Sequence, residues 1–212
     1  MSTASDARFW DRTSRRYAKG AIADPAGYER TLERTRALLL PDDRVLELGC
    51  GTGTTAFRLA GDVRDYLATD ISTEMIAIAR ERYAPDLMPH LAFRTTVAET
   101  LAVERAQYDV VLGFNYLHLV RDLSGTLGTI HALLASRGLF ITKTPCVGDM
   151  NPLIRLVLLP AMRAIGLAPY AGTFGVAELS RQMTVAGFDI LATESHATKD
   201  NENRPYIVAR KR

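Results

Sequence analysis

Short apolar runs alternate along this chain with stretches whose apolar residues recur every three or four positions. The runs Arg44–Leu48, Tyr66–Thr69, Leu91–Arg94, Tyr108–Leu112 and Leu139–Thr142 have strand length. Between them the spacing predicts helices. Asp24-Pro25 offers an N-cap and a first-turn proline, Tyr28, Leu32 and Leu39 keep an apolar stripe, and Pro41 stops it. Gly53–Ala60 follows the first strand, with Gly61 as its stop. Ser72 caps a helix in which Met75, Ile76 and Ala79 face one way. A short helix is expected near Ala98–Glu104. Leu123, Leu127, Ile130 and Leu134 mark another, and Gly138 breaks the chain before the fifth strand. Val176–Ala186 resumes the helical pattern, with Leu179 and Met183 on one face and Gly187 as stop. Phe188–Glu194 and Arg204–Ala209 close the chain as sixth and seventh strands.

This alternation predicts an α/β protein: a doubly wound, three-layer Rossmann-like sandwich around a mostly parallel sheet covered on both faces. The last two strands are joined by a short loop, which predicts an antiparallel pair at one edge. Ligands in such sheets bind beyond the carboxyl ends of the strands. Two stretches stand outside the alternation. Residues 1–40 form an N-terminal arm, basic and aromatic over 8–24, where Phe9, Trp10, Arg12, Arg15, Arg16, Tyr17 and Lys19 fall. Residues 144–174 form an apolar insert punctuated by Pro145, Pro152, Pro160 and Pro169. Pro85 and Pro89 mark a loop.

Composition narrows the class. The 212 residues suit one domain with one sizeable core. A formal net charge of +2 is too balanced to argue for a polyanionic partner, so no nucleic acid is expected. Cys50 and Cys146 give neither a disulfide framework nor a zinc set, and no metal is expected. No run reaches the roughly 18 apolar residues of a membrane span. Met1–Ala7 has no apolar core of a secretory signal. A reducing cytoplasm is the expected compartment. The oligomeric state is open.

The stretch Val45–Ala56 carries the chemistry. Gly49, Gly51 and Gly53 alternate directly after the first strand, where absent side chains let a ligand approach the backbone. A dinucleotide fingerprint, G-x-G-x-x-G, would place a glycine where Thr54 stands. Instead the acidic Glu47, one apolar residue and G-x-G-x-G resemble motif I of class I S-adenosylmethionine (SAM)-dependent methyltransferases. Asp70, 21 positions after Gly49 at the end of the second strand, is a carboxylate able to accept both hydroxyls of a ribose. The resemblance covers roughly residues 40–145 by motif and the remainder by element order. It implies a seven-stranded sheet whose last strand inserts antiparallel between the fifth and sixth.

The resemblance also implies a cofactor site. Glu47 would hold the methionine amino end, Gly49, Cys50 and Gly51 the backbone contacts, and Asp70 the ribose. Ile71 and Met75 would pack on adenine. Where the family often shows Gly-Asp-Ala, this chain has Thr96-Val97-Ala98-Glu99, so Val97 replaces the adenine-reading Asp. Either Val97 packs on the base beside Ala98, or Glu99 or Thr96 substitutes. Phe114 and Asn115 fall in the loop beneath the methionyl part. No Pro-Pro follows Asn115, which removes the signature of DNA amino-methylases. His118 is a candidate general base or a packing residue. Cys146 lacks the companion Pro-Cys of RNA cytosine methyltransferases and reads as a small buried hydrophobe.

The arm is similar to that of ubiquinone/menaquinone-type methyltransferases. Tyr17 either covers the cofactor pocket, as a further weak catalytic candidate, or docks with Phe9 and Trp10 on the sheet edge. The insert is the expected acceptor lid, with Tyr170 and Phe174 at its end, though it could equally cover the protein's own core or meet a second subunit. The function implied is methyl transfer from SAM to O, N or C of a small, partly apolar acceptor. The alternatives are an NAD-dependent oxidoreductase and a non-catalytic SAM-binding protein.

Overall fold

The computed structural model describes residues 3–84, 86, 88–198 and 203–212. Pro85, expected to mark a loop, lies outside them. Seven strands, β1 (Arg44–Leu48), β2 (Asp65–Asp70), β3 (Leu91–Thr95), β4 (Tyr108–Phe114), β5 (Leu134–Lys143), β6 (Phe188–Glu194) and β7 (Tyr206–Lys211), form one sheet. Its order is β3-β2-β1-β4-β5-β7-β6. β1 to β5 pair in parallel, and β7 runs antiparallel to both β5 and β6. This is the expected fold, with the last strand inserted where the resemblance put it.

Strand alternation sorts the core into two layers. Leu46 and Leu48 of β1 bury one way, with Val111, Phe140 and Ile207, against α5 (Ala98–Val103), α6 (Leu123–Leu133) and α8 (Val176–Val185). Val45 buries the other way, with Ala68, Val110, Leu112 and Ile141, beneath α2 (Pro25–Arg36), α3 (Ala56–Leu59) and α4 (Thr73–Glu81). Asp24 caps α2, accepting from Gly27 N–H at 3.0 Å, and Ser72 caps α4, accepting from Met75 N–H at 3.1 Å. The expected stop at Pro41 comes late: α2 ends at Arg36, and Leu38 and Leu39 pass over the core outside it.

Two further expectations need correction. The helix after the glycine loop begins at Ala56, not Gly53, and continues after Leu59 as a 3-10 turn through Gly61. Gly53 has φ +77°, which no right-handed helix accommodates. β5 starts at Leu134, which the helical stripe had claimed for α6. Leu134 pairs with Tyr108 across a register shift. Gly138 lies inside this irregular strand: a Cβ there would stand 2.9 Å from the Asp109 carbonyl, so the glycine permits close backbone approach.

The insert is helical over 152–164, as a π-helical turn Ile154–Leu158 running into α7 (Leu159–Ala164). Pro160 withholds an N–H and its ring crowds the preceding turn, which accounts for the widened spiral. The arm holds α2 and, before it, α1 (Thr3–Ala18), which packs on α4.

A Cβ at Gly53 would also lie 2.8 Å from the Phe93 ring. Gly53→Ala is therefore expected to lose about 1–3 kcal/mol in urea unfolding. A loss within error of zero contradicts the tight turn.

Candidate functional site

The carboxyl ends of β1, β2 and β4, closed over by α1, surround a cavity of about 1450 Å³. That exceeds the roughly 300–1,000 Å³ of an ordinary small-molecule pocket and gives room for two ligands side by side. The cofactor-site candidates and His118 line it: Tyr17, Glu47, Gly49, Cys50, Gly51, Asp70, Ile71, Met75, Val97, Ala98, Glu99, Phe114, Asn115 and His118. Cys146, Tyr170 and Phe174 do not border it. Cys146 is fully buried, and burial pushes its thiol up to about 12, as an inert hydrophobe requires.

The glycine loop forms because β1 and β2 pair in parallel. Cys50 N–H donates to the Thr69 carbonyl at 2.9 Å, which holds the turn against the end of β2. Gly49 and Gly51 have φ of +69° and +54°. A Cβ on Gly49 would strike Tyr116 at 2.9 Å. Asp70 accepts from Gly51 N–H at 3.0 Å through one oxygen and from Ser72 N–H at 2.8 Å through the other. Each oxygen keeps a second lone pair for a ligand hydroxyl. Burial raises the Asp70 pKa, with Asp11 adding to it, and the backbone N–H groups of Ser72, Gly51 and Ile71 oppose that rise.

Glu47 points from β1 into the buried layer. Tyr66 O–H donates to its Oε2 at 2.9 Å. Burial first, with Asp70 nearby adding to it, lifts Glu47 to about 7. A cationic ligand group would pull it back toward the charged form. Tyr17 lies over the loop, its Cε1 3.6 Å from where a Gly51 Cβ would be, and burial, then Asp70 and Glu47, raise its phenol pKa. Trp10 meets Tyr17 edge-on with ring centroids 6.1 Å apart, and both it and Phe9 line the cavity in addition to anchoring α1.

His118 sits where β4 hands over to α6. Its backbone N–H donates to Thr144 Oγ1 at 3.1 Å, and its Nδ1 lies 3.0 Å from the same oxygen. Thr144 Oγ1 thus holds both the backbone and the ring of His118 in place. Burial, then Arg204, lowers its pKa to about 4. A neutral imidazole held this way is a poor base at neutral pH. Asn115 adopts φ +51°, which asparagine tolerates, and its N–H donates to the Lys143 carbonyl at 2.7 Å.

On the adenine side, Val97 stands before α5 and makes no side-chain cap bond. Thr96 N–H donates to the Asp70 backbone carbonyl at 3.0 Å, which ties the β3 loop to the end of β2. Glu99 is exposed at the rim. Sequence reasoning missed the groups that fasten α1. Asp11 Oδ1 accepts from Ser72 Oγ at 2.7 Å, and Asp6 accepts from Arg121 at 2.6 and 2.8 Å. These partners are far apart in the chain, so no local pattern announces them. Lys143, Arg204 and Thr31, also missed, line the opposite wall.

The strand order and directions are those of the Rossmann-like methyltransferase fold, and the glycine cradle and strand-end carboxylate resemble those of class I SAM-dependent methyltransferases. Residues 46–140 match the family described as a methyltransferase domain. The chain is 38% identical over 82 residues to the magnesium-protoporphyrin O-methyltransferase of Rhodobacter capsulatus, covering 37% of this chain and 36% of that protein. It is 33% identical over 109 residues to the hybrid PKS-NRPS synthetase iccA of Talaromyces variabilis, covering 48% of this chain and 3% of that one. The chain thus spans a small fraction of the polyketide synthases it matches. Among solved structures, the magnesium protoporphyrin IX methyltransferase ChlM from Synechocystis PCC 6803, with bound SAH, is similar in fold at TM-score 0.73. That likeness has 21% sequence identity and covers 99% of both chains.

The Glu47 shift has a consequence for stability. Its folded pKa of about 7 lies above the ordinary 4.5, so the unfolded chain holds the proton less tightly. Glu47 therefore costs nothing below pH 4.5, an increasing amount between 4.5 and 7, and about 3 kcal/mol above 7. Glu47→Gln keeps an oxygen for Tyr66 and removes the buried charge. It is expected to raise thermal stability at pH 8 and leave it unchanged near pH 4.5. No gain at pH 8 contradicts this account.

Proposed function

We propose that this chain transfers a methyl group from SAM to O, N or C of a small, partly apolar acceptor, and that it does so in the reducing cytoplasm without a nucleic-acid partner. The observation that carries the reading is Asp70, fixed by Gly51 and Ser72 N–H beside three glycines of positive φ, with lone pairs free toward the cavity. When bound, SAM supplies a methyl carbon on a cationic sulfur, open to in-line attack. Asp70 orients the ribose, Glu47 balances the cationic methionyl end, and Gly49 and Gly51 allow backbone contact. Val97, Ile71 and Met75 supply the apolar walls for the base. Tyr17 and α1 cover the site and exclude water.

His118 does not act as a base in this scheme. It lines the cavity as a neutral ring, which suits an acceptor atom that already carries a free lone pair, such as a carboxylate or thiolate. The name of the Rhodobacter relative, an O-methyltransferase, agrees with oxygen as one such atom. Both cysteines are buried and unpaired, as a reducing compartment allows. Among the described residues no helix is long and apolar enough to cross a membrane.

Calorimetric titration with S-adenosylhomocysteine (SAH) is expected to show binding that weakens at least about tenfold in Asp70→Ala, the worth of one charge-assisted hydrogen-bond pair. Unchanged affinity overturns the ribose assignment. The free-state pKa of Glu47 sets the pH dependence. Affinity should be level above pH 7 and fall below it, by up to about tenfold per pH unit, because the protonated carboxyl no longer balances the ammonium group. A flat profile from pH 5 to 8 removes Glu47 from the site.

A further inference from the structure

The insert helix presents an apolar surface to solvent. Over 152–164 no side chain is buried. Leu153 is 66% exposed and Leu156 65%, with Ile154, Val157 and Leu158 exposed beside them. Ile165, at 70%, continues the surface past the helix end. An exposed apolar surface of this kind, broken only by Arg155 and Arg163, belongs against a core, a partner or lipid. At about 20 Å the helix is too short to span the roughly 30 Å of a bilayer, but long enough to lie in its interface. No acidic residue occurs between Met150 and Glu178.

α1 supplies the matching charge. Arg8, Arg12, Arg15, Arg16 and Lys19 recur at helical spacing and form one exposed stripe. Its other face carries Trp10, Thr13 and Tyr17 into the cavity. The two elements are joined at one rim. Asp6 of α1 binds Arg121, the Arg121 guanidinium lies 4.7 Å from the Tyr170 ring centre, and that of Arg163 in α7 lies 5.0 Å from the same ring. Pro145 and Pro169, which flank the insert, line the cavity between them.

We propose that this rim docks on an anionic lipid bilayer. The 152–165 segment lies among the acyl chains, and the α1 stripe lies against the headgroups. The cavity mouth then faces the lipid phase. The acceptor is a lipophilic molecule that enters from the membrane. In that last respect the inference rests on the proposed methyl transfer, whereas docking itself does not.

The test is flotation of the full chain with vesicles of phosphatidylcholine alone and of phosphatidylcholine mixed with phosphatidylglycerol. The protein is expected to float with the anionic vesicles and little with the neutral ones. Leu156→Glu/Val157→Glu should abolish flotation, and Arg8→Glu/Arg12→Glu should weaken it at least about tenfold. Both variants should keep wild-type SAH affinity, which shows that they fold. Absence of wild-type flotation, or flotation of Leu156→Glu/Val157→Glu like wild type, overturns the docking. So does a dimer in sedimentation velocity that this double variant dissolves without any vesicle binding, since the surface then serves a second copy. Loss of docking with SAH binding intact leaves the methyltransferase reading standing. Docking without SAH binding removes that reading and leaves the docking.

Discussion

The hydrogen bonds that pin Asp70 to Gly51 and Ser72 hold the site together. They join the turn after β1, the end of β2 and the start of α4 into one rigid corner. Parallel pairing of β1 with β2 brings these segments level, and the Cys50 N–H to Thr69 bond locks the register. The glycines are needed because the chain must turn in left-handed conformations beneath Tyr116 and Phe93 with no room for a Cβ. Burying the carboxylate raises its pKa, and the backbone donors oppose that rise. The result is an acceptor site for hydroxyls that exists before any ligand arrives.

Both signs of charge line the cavity. Glu47, Asp70 and Glu99 line the side where β1, β2 and β3 end. Lys143, Arg204 and the neutral His118 line the side toward β5 and β7. Asp6, Asp24, Asp122, Arg16 and Arg121 line the cavity as well, so neither side carries a single sign of charge. α1 spans both, fastened by Asp11 to α4 and by Asp6 to Arg121. Such exposed or half-exposed ties are individually weak, so α1 is held by several small interactions rather than one.

The cofactor half was legible in the sequence because its determinants are local. Glu47, the alternating glycines and Asp70 follow one another within a strand–turn–helix–strand unit, and the strand runs are apolar enough to place their ends. Leu134 and Gly138 misled because an apolar residue at helical spacing also suits an irregular strand, and only the pairing with Tyr108 decides between them. Gly53 opened the predicted helix too early because its φ is invisible in a letter code. The acceptor half depends on contacts between distant segments: Asp6 with Arg121, His118 with Thr144, and α1 over the rim. The apolar insert could be recognised as apolar, but its exposure appears only in three dimensions.

The central claim is that Asp70 reads the ribose hydroxyls of a SAM-like cofactor. It is tested most directly by comparing the affinity of SAH with that of its 2′,3′-dideoxyribose analogue, in the wild type and in Asp70→Ala. Removing the hydroxyls should weaken binding at least about tenfold in the wild type and have no further effect in the variant. An equal loss in both proteins would show that the hydroxyls are held elsewhere and would contradict the account.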